Sequence, residues 1–553
     1  MTKKLSLISL ILIVLILNSC LNKDGNHYVF SYNPSTREAT LIEGEVKYKG
    51  DAIIPSTIIY EGVKYSVTGI GVGAFSECTE LTSATLPNDL TTIGRGAFEG
   101  CKSLTTITLP NSLTLVGPDA FLDTPWYNNQ PDGVVYVGRI AYEYKGKMPK
   151  DTHVILKKGT TGIADHCFSL YDNLSSVTIP NSVTSIGEGA FFRCWNLTSI
   201  TMPDSLISVG VCAFQDTPWY DNQPDGVVYV GRIAYKYKGK MPKGTNISLK
   251  EGTTGIADYA FHHCFGLSSI TFPNTVSYIG ENAFSECRDL TEIEIPGSVT
   301  RIPYEAFNRC QHLISIKLPD SITVLGVRAF GECNSLTSIE IPNSVTLIQG
   351  GAFYGCGSLT SIDIPNSVTS IQCGAFEECN SLTSITIPNC LSEIEDEVFK
   401  NCDNLKSIEL HKKIIRIGSK AFWGCRNLNS FEIPSSVTKI EADAFVLSGI
   451  ERYMVEDANP SYCAVDGVLF SKDTTRLIRV PVHLKRYVIP SHVTSIGSYS
   501  FAGCSLLTSV DIPDSVTEIG DYAFVGCENL PPIKRPKNVV RIGANALVRA
   551  SIL

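Results

Sequence analysis

Cysteine, histidine and a short run of glycines are the residues in this chain whose types could do chemistry, and their spacing decides which chemistry that would be. There are 19 cysteines and 9 histidines in 553 residues. Thirteen of the cysteines (Cys78, Cys101, Cys194, Cys264, Cys287, Cys310, Cys333, Cys356, Cys379, Cys402, Cys425, Cys504 and Cys527) share one phase, 3 residues after a recurring phenylalanine. A column of thiols one strand spacing apart, about 4.8 Å, lies inside the Cα range of a disulfide, but parallel stacking sets the Cβ atoms alongside one another instead of facing. Thr124, Tyr171, Thr217 and Ser448 fill the same phase elsewhere, so the position is read as accepting a small or apolar group without a partner. Buried, reduced thiols that pack as small hydrophobes are the expectation, with bridges between turns as the alternative. No Cys-x-x-Cys pair occurs, and neither a metal nor another cofactor is expected.

The remaining candidates dissolve on the same test of phase. His262-His263-Cys264 is the densest histidine cluster, yet it occupies the variable pair before a column cysteine. Gly69-Ile70-Gly71-Val72-Gly73 imitates a phosphate loop, but its place is that of a Thr-x-Ile-Gly-x-x-Ala-Phe segment common to most turns. No catalytic residue is expected, because no polar set converges. A net charge of -9 and a pI near 5.6 argue against nucleic acid, which is bound through clustered Lys and Arg.

These phases belong to a repeat. In the stretch from Cys333 to Phe353 the apolar anchors are Cys333, Leu336, Ile339, Ile341, Val345, Ile348, Ala352 and Phe353, with Pro342 between the halves. After 23 residues the pattern restarts at Cys356. One copy cannot bury that set alone, whereas stacked copies lay each anchor over its equivalent. Seventeen marker phenylalanines run from Phe75 to Phe524, with Leu547 standing in at the end; most gaps are 23, two are 47 and one is 56. A mostly β solenoid of about 18 turns follows, a single domain over 68–553 despite its length.

The order Cys-x-x-Leu-x-x-Ile-x-Ile-Pro-x-x-Val-x-x-Ile, then Ala-Phe three residues later, as in Cys379 to Phe399 or Cys287 to Phe307, resembles the BspA-like leucine-rich repeat family of bacterial surface proteins. The resemblance implies a right-handed leucine-rich repeat solenoid with short helical or 3₁₀ turns near each Ala-Phe. It further implies a non-catalytic role in adhesion or protein binding at the bacterial surface. Host extracellular-matrix proteins and neighbouring bacteria are the implied partners. The family offers no defined binding motif, so no site residue is carried over from it.

Residues 1–19 read as an export signal. Lys3 and Lys4 precede the apolar run from Leu5 to Leu17, which is too short to span a membrane. Leu17-Asn18-Ser19-Cys20 resembles a bacterial lipobox, which makes Cys20 the expected lipid attachment site and 20–27 a short tether. An outer-membrane lipoprotein is the expectation, at the cell surface or on the periplasmic side. Residues 28–67 leave the period but alternate in strand fashion, with a hairpin turn at Glu61-Gly62, and read as an N-terminal β cap over the open end.

Two inserts, near 124–147 and 217–240, are nearly identical and 93 residues apart; a third lies near 449–481. Val134 to Val137 and Ile140 to Tyr144 alternate around Gly138-Arg139, which predicts a β-hairpin projecting from the stack. Trp126 with Tyr127 and Trp219 with Tyr220 either cover the gap where the regular turn is interrupted or form a contact surface, for which a glycan is the natural ligand. The outward strand column, 13 residues before each marker, is Thr in the first half and then Glu294, Lys317, Glu340, Asp363, Thr386, Glu409 and Glu432, with Glu292 two places before Glu294. Such carboxylates either keep a long sheet soluble or present a face to a basic partner.

Overall fold

The computed structural model describes residues 20–21, 27–33, 36–533 and 536–548. The chain divides into two compact units, Met1–Gly239 with Thr254–Asp258, and Lys240–Thr253 with Tyr259–Leu553. The fold is mostly β with about 2% helix, a β-solenoid of about 21 turns at a ~23-residue period. The expected signal segment 1–19 lies outside the described residues, as does 22–26 of the tether. Cys20–Leu21 is a two-residue strand antiparallel to His27–Asn33, with Cys20 opposite Tyr28.

The second unit shows the regular turn. Glu292–Glu294 alternates exposed, buried, exposed, as a half-buried strand of period 2 must. Pro296 ends it, since a proline cannot donate to the ladder, and Val299 N–H closes the bend on the Pro296 carbonyl at 3.1 Å. The short strand Arg301–Ile302 follows, and then Ala306-Phe307. Parallel partners in these regular turns are 23 residues apart: Ile293 faces Ile316, Val324 faces Leu347, and Leu347 faces Ser370.

The Ala-Phe segment is not the short helix expected of it. The residues two before and two after Phe307, Glu305 and Arg309, have φ of 49° and 60°, and left-handed residues at both positions interrupt any helix. The backbone bonds between turns instead. Phe307 N–H donates to the Ala329 carbonyl at 2.9 Å, and Arg309 N–H donates to Gly331 at 2.7 Å. Each turn is thus tied to the next along three lines, and the phenylalanines stack inside. Ring centroids are 5.3 Å apart for Phe284–Phe307 and 5.8 Å for Phe307–Phe330, with planes within 7°.

In the first unit, 28–67 is part of the same core. Tyr28, Phe30, Leu41, Tyr48 and Ala52 are buried with Phe75 and Phe98. Glu38–Ile42 runs parallel to Val63–Ile70, which runs parallel to Thr92–Ile93. Glu61 and Gly62, with φ of 47° and 78°, make the hairpin between Thr57–Tyr60 and Val63–Ile70. The glycine run packs backbone on backbone: Gly71 N–H donates to the Leu41 carbonyl at 2.7 Å, and a Cβ at Gly94 would meet the Gly71 carbonyl carbon at 2.6 Å.

The inserts account for the difference between 18 turns and about 21. Gly133–Val137 and Ile140–Lys145 do form a hairpin, but it is built into the stack instead of projecting from it. Its second strand runs parallel to Gly162–Ile163, so the insert is itself a rung. Ile233–Lys238 pairs in the same way with Gly255–Ile256, and Arg476–Arg479 with Ser495–Ile496.

Candidate interaction surface

The outward carboxylates Glu292, Glu294, Glu340, Asp363, Glu409 and Glu432 all lie in the second unit, and all are exposed. Their inward neighbours Ile293, Ile339, Ile362, Ile408 and Phe431 are buried, so the alternation of the strands alone aims the acids at solvent. The column is less uniformly acidic than its sequence. Lys317 Nζ lies 2.6 Å from Glu294, Glu409 stands opposite Thr386, and Glu432 opposite Met454. Glu340 and Asp363 are bridged directly across adjacent turns, and Glu409 and Glu432 also stand at equivalent positions of adjacent turns.

The insert aromatics turn inward. Trp126 rests on Phe121 at 4.7 Å between centroids, and Trp219 on Phe214 at 4.8 Å. Tyr127 meets the buried Tyr142 edge-on at 6.4 Å, and Tyr220 meets Tyr235 at 6.2 Å. The two tryptophans and two tyrosines are half-buried and continue the phenylalanine column through the interrupted turn. Each pair sits on a one-turn helix, Pro125–Asn128 or Pro218–Asp221, that opens with proline and is capped by Thr124 or Thr217.

A model of the BspA-type leucine-rich repeat region matches residues 56–130, 138–222, 230–357, 346–461 and 481–553, in 6 copies. The chain belongs to this family. Among solved structures it is similar to a leucine-rich repeat protein from Bacteroides ovatus, 27% identical over 74% of this chain and 94% of that one, with a TM-score of 0.34. It is also similar to a leucine-rich cell surface protein from Faecalibacterium prausnitzii, 23% identical over 79% and 95%, with a TM-score of 0.30. A third, from Eubacterium ventriosum, is 15% identical over 97% and 95%, with a TM-score of 0.26. No curated protein matches.

In this BspA-type repeat the column cysteine has a partner, contrary to the reading of it as a mere filler. Ten of these thiols, among them Cys287, Cys333 and Cys425, donate to the phenylalanine carbonyl 26 residues back at 2.9–3.2 Å. The three hydroxyls at this phase do something different. Thr124, Thr217 and Ser448 donate to the carbonyl of their own turn, Phe121, Phe214 and Phe445, at 2.7–2.8 Å. Each stands just before an insert, where no column cysteine follows to reach back, so the hydroxyl supplies the missing donor. The swap of Cys for Thr or Ser is a sequence signal for an insert. Tyr171, the first marker turn after an insert, reaches back to the Tyr144 carbonyl at 2.6 Å.

The 18 cysteines from Cys78 to Cys527 form no disulfide. Burial pushes the thiols of Cys287, Cys310, Cys333, Cys379 and Cys402 well above their ordinary range, and that of Cys356 up to about 12. They are protonated and unreactive. Among the described residues no three His, Cys, Asp or Glu side chains converge as a metal site, and no helix is long and apolar enough to cross a membrane. His263 Nδ1 lies 3.3 Å from Glu286, which also binds Arg288 at 2.9 Å and Arg309 at 3.5 Å in a surface ion-pair network. The third insert holds a residue that sequence reasoning missed. Arg479 is 2% exposed and donates to the backbone carbonyls of Tyr499, Phe445 and Ala502, the last at 2.8 Å. The alternating apolar pattern around it gave no sign that its guanidinium would be turned inward.

Proposed function

We propose that this protein is a non-catalytic, lipid-anchored surface protein that binds other proteins, host matrix or bacterial, through the exposed strand face of its second unit. Membership of a repeat family that is generally a non-enzymatic, protein-binding scaffold supports the coarse part of this reading. One observation carries the finer part. From Glu292 to Met454 the outward strand positions stay exposed turn after turn above buried isoleucines and phenylalanine, and among the described residues five of those carboxylates make no ion pair. A periodic, rigid, exposed face of one predominant sign selects partners by charge and repeats the contact along its length. The half-buried Trp126 and Trp219 are spent on the core, which leaves less ring surface for stacking a sugar.

Protease shaving of intact cells tests the location. Solenoid fragments released from unbroken cells are expected, and a protein protected until the outer membrane is opened rules out host adhesion. Fatty-acid labelling lost in Cys20→Ser tests the anchor. A matrix-protein panel run beside a glycan array tests the partner class, and binding confined to the array overturns the protein-binding reading.

A further inference from the structure

The strand face of the second unit is unevenly closed. Glu292–Glu294 pairs with Ser315–Lys317 over its whole length, and Ser384–Thr386 does the same with Ser407–Glu409. Between them, 338–341 and 361–364 meet only at the bridge between Glu340 and Asp363. A surface cleft of about 450 Å³ lies there, lined by Ser338, Glu340, Asn343, Ser361 and Asp363 and by the isoleucines among them, Ile362 included. The charge of this pair is left unbalanced by its neighbours. Lys317, the one cation in the column before it, turns to Glu294 at 2.6 Å, and like carboxylates on neighbouring parallel strands repel. Among the described residues no ion pair includes Glu340 or Asp363.

We propose that this cleft receives a basic side chain, an arginine, from an extended segment of the partner protein. The inference rests on the reading of the strand face as the contact surface and places the contact within it. Charge complementarity names the occupant. A planar guanidinium can bridge two carboxylates on adjacent turns with paired N–H donors, while its stem lies along the isoleucines; the hydroxyls of Ser338 and Ser361 accept what remains. A cleft of this size falls in the range of about 300–1,000 Å³ that holds small ligands, so it takes a side chain with part of its backbone but not a folded domain.

The test uses the full chain and a fluorescein-labelled tetra-arginine peptide, with its neutral citrulline counterpart, by fluorescence polarisation at about 0.15 M salt, where exposed charges more than about 8 Å apart are screened. The double variant Glu340→Gln with Asp363→Asn is compared with Glu409→Gln with Glu432→Gln, which removes the same charge from the same face. The first is expected to weaken arginine-peptide binding about tenfold, the loss of one charge-assisted pair, and the second by less than about twofold. The citrulline peptide is expected not to bind. Equal weakening by both variants overturns the cleft and leaves the acidic face as a diffuse contact. No change in either, or citrulline binding as well as arginine, overturns it too. So does a calcium-dependent rise in the melting temperature that the first variant abolishes while the peptide fails to bind, because the occupant is then a metal ion. A failure of the matrix panel together with the peptide removes the surface reading itself. Unchanged circular dichroism in both variants shows that the fold is intact, as expected for exposed amide replacements.

Discussion

The buried thiol column is expected to make the second unit labile to mild alkali, and the size of the effect follows from the column itself. Cys287, Cys310, Cys333, Cys356, Cys379, Cys402 and Cys425 are buried, each with its thiol pushed up by burial. In the unfolded chain the same groups ionise near 8.5, below their folded values. A group whose folded pKa is raised lends its full stability below the unfolded pKa and loses it as pH climbs toward the folded one. At a pH of about 9.5 each thiol that must stay protonated in the fold withdraws about 1.4 kcal/mol, so the seven together withdraw about 10 kcal/mol if their turns unfold in one step. The window lies below the tyrosines and lysines, which ionise near 10 and above. Urea unfolding under reducing conditions, followed by circular dichroism at about pH 7.5 and about 9.5, is the assay. A variant with Cys333→Ala, Cys356→Ala and Cys379→Ala has a lower starting stability but is expected to lose about 4 kcal/mol less between the two pH values. Equal stability at both pH values, or the same loss in the variant as in the parent, refutes the reasoning.

Other outcomes follow from particular contacts. Cys333→Val keeps an apolar side chain but removes the donor to the Phe307 carbonyl at 3.2 Å; a loss of about 0.5–1.5 kcal/mol in urea midpoint is expected, and none if the thiol only fills space. Thiol labelling of the native protein, counted by mass spectrometry, should modify the exposed Cys373 and Cys390 first and leave the buried column untouched until denaturant is added. Arg479→Met keeps most of the aliphatic stem but removes the guanidinium donor from the Ala502 carbonyl and one of the two donors to the Tyr499 carbonyl, which keeps the Ala502 N–H; a cost of about 1–3 kcal/mol and faster hydrogen exchange in the turns around Phe445 and Phe501 are expected. Phe307→Ala opens a cavity between two stacked rings and should cost about 3–5 kcal/mol, read as early melting of the second unit.

The period was legible because it is carried by side chains that touch their own equivalents. Once Phe284, Phe307 and Phe330 are set at 23-residue intervals, stacking is the arrangement that buries all three, and their rings do lie 5.3–5.8 Å apart. The number of turns was not, because the insert rungs have no Ala-Phe: Tyr142 and Tyr144 take the place of the ring, on a strand that read as the arm of a projecting hairpin. The role of the cysteine escaped for a related reason. A thiol and a methyl group look alike in an apolar pattern, and only the carbonyl one turn away distinguishes them. The acidic column was visible as composition, whereas the lack of a cation for Glu340 and Asp363 depends on which neighbour Lys317 chooses, a matter of side-chain direction that no spacing records.

The hydroxyl before each insert has a consequence for how such a chain can grow. A gene that gains or loses a plain coil joins cysteine to cysteine, and the phenylalanine carbonyl of a coil still meets a sulfur from the coil that follows it. A break in the pattern has no such freedom unless its own terminator travels with it, and the 93-residue copy carries Thr217 just as the first carries Thr124. Length is therefore cheap to change in this architecture, while irregularity is inherited only as a complete cassette.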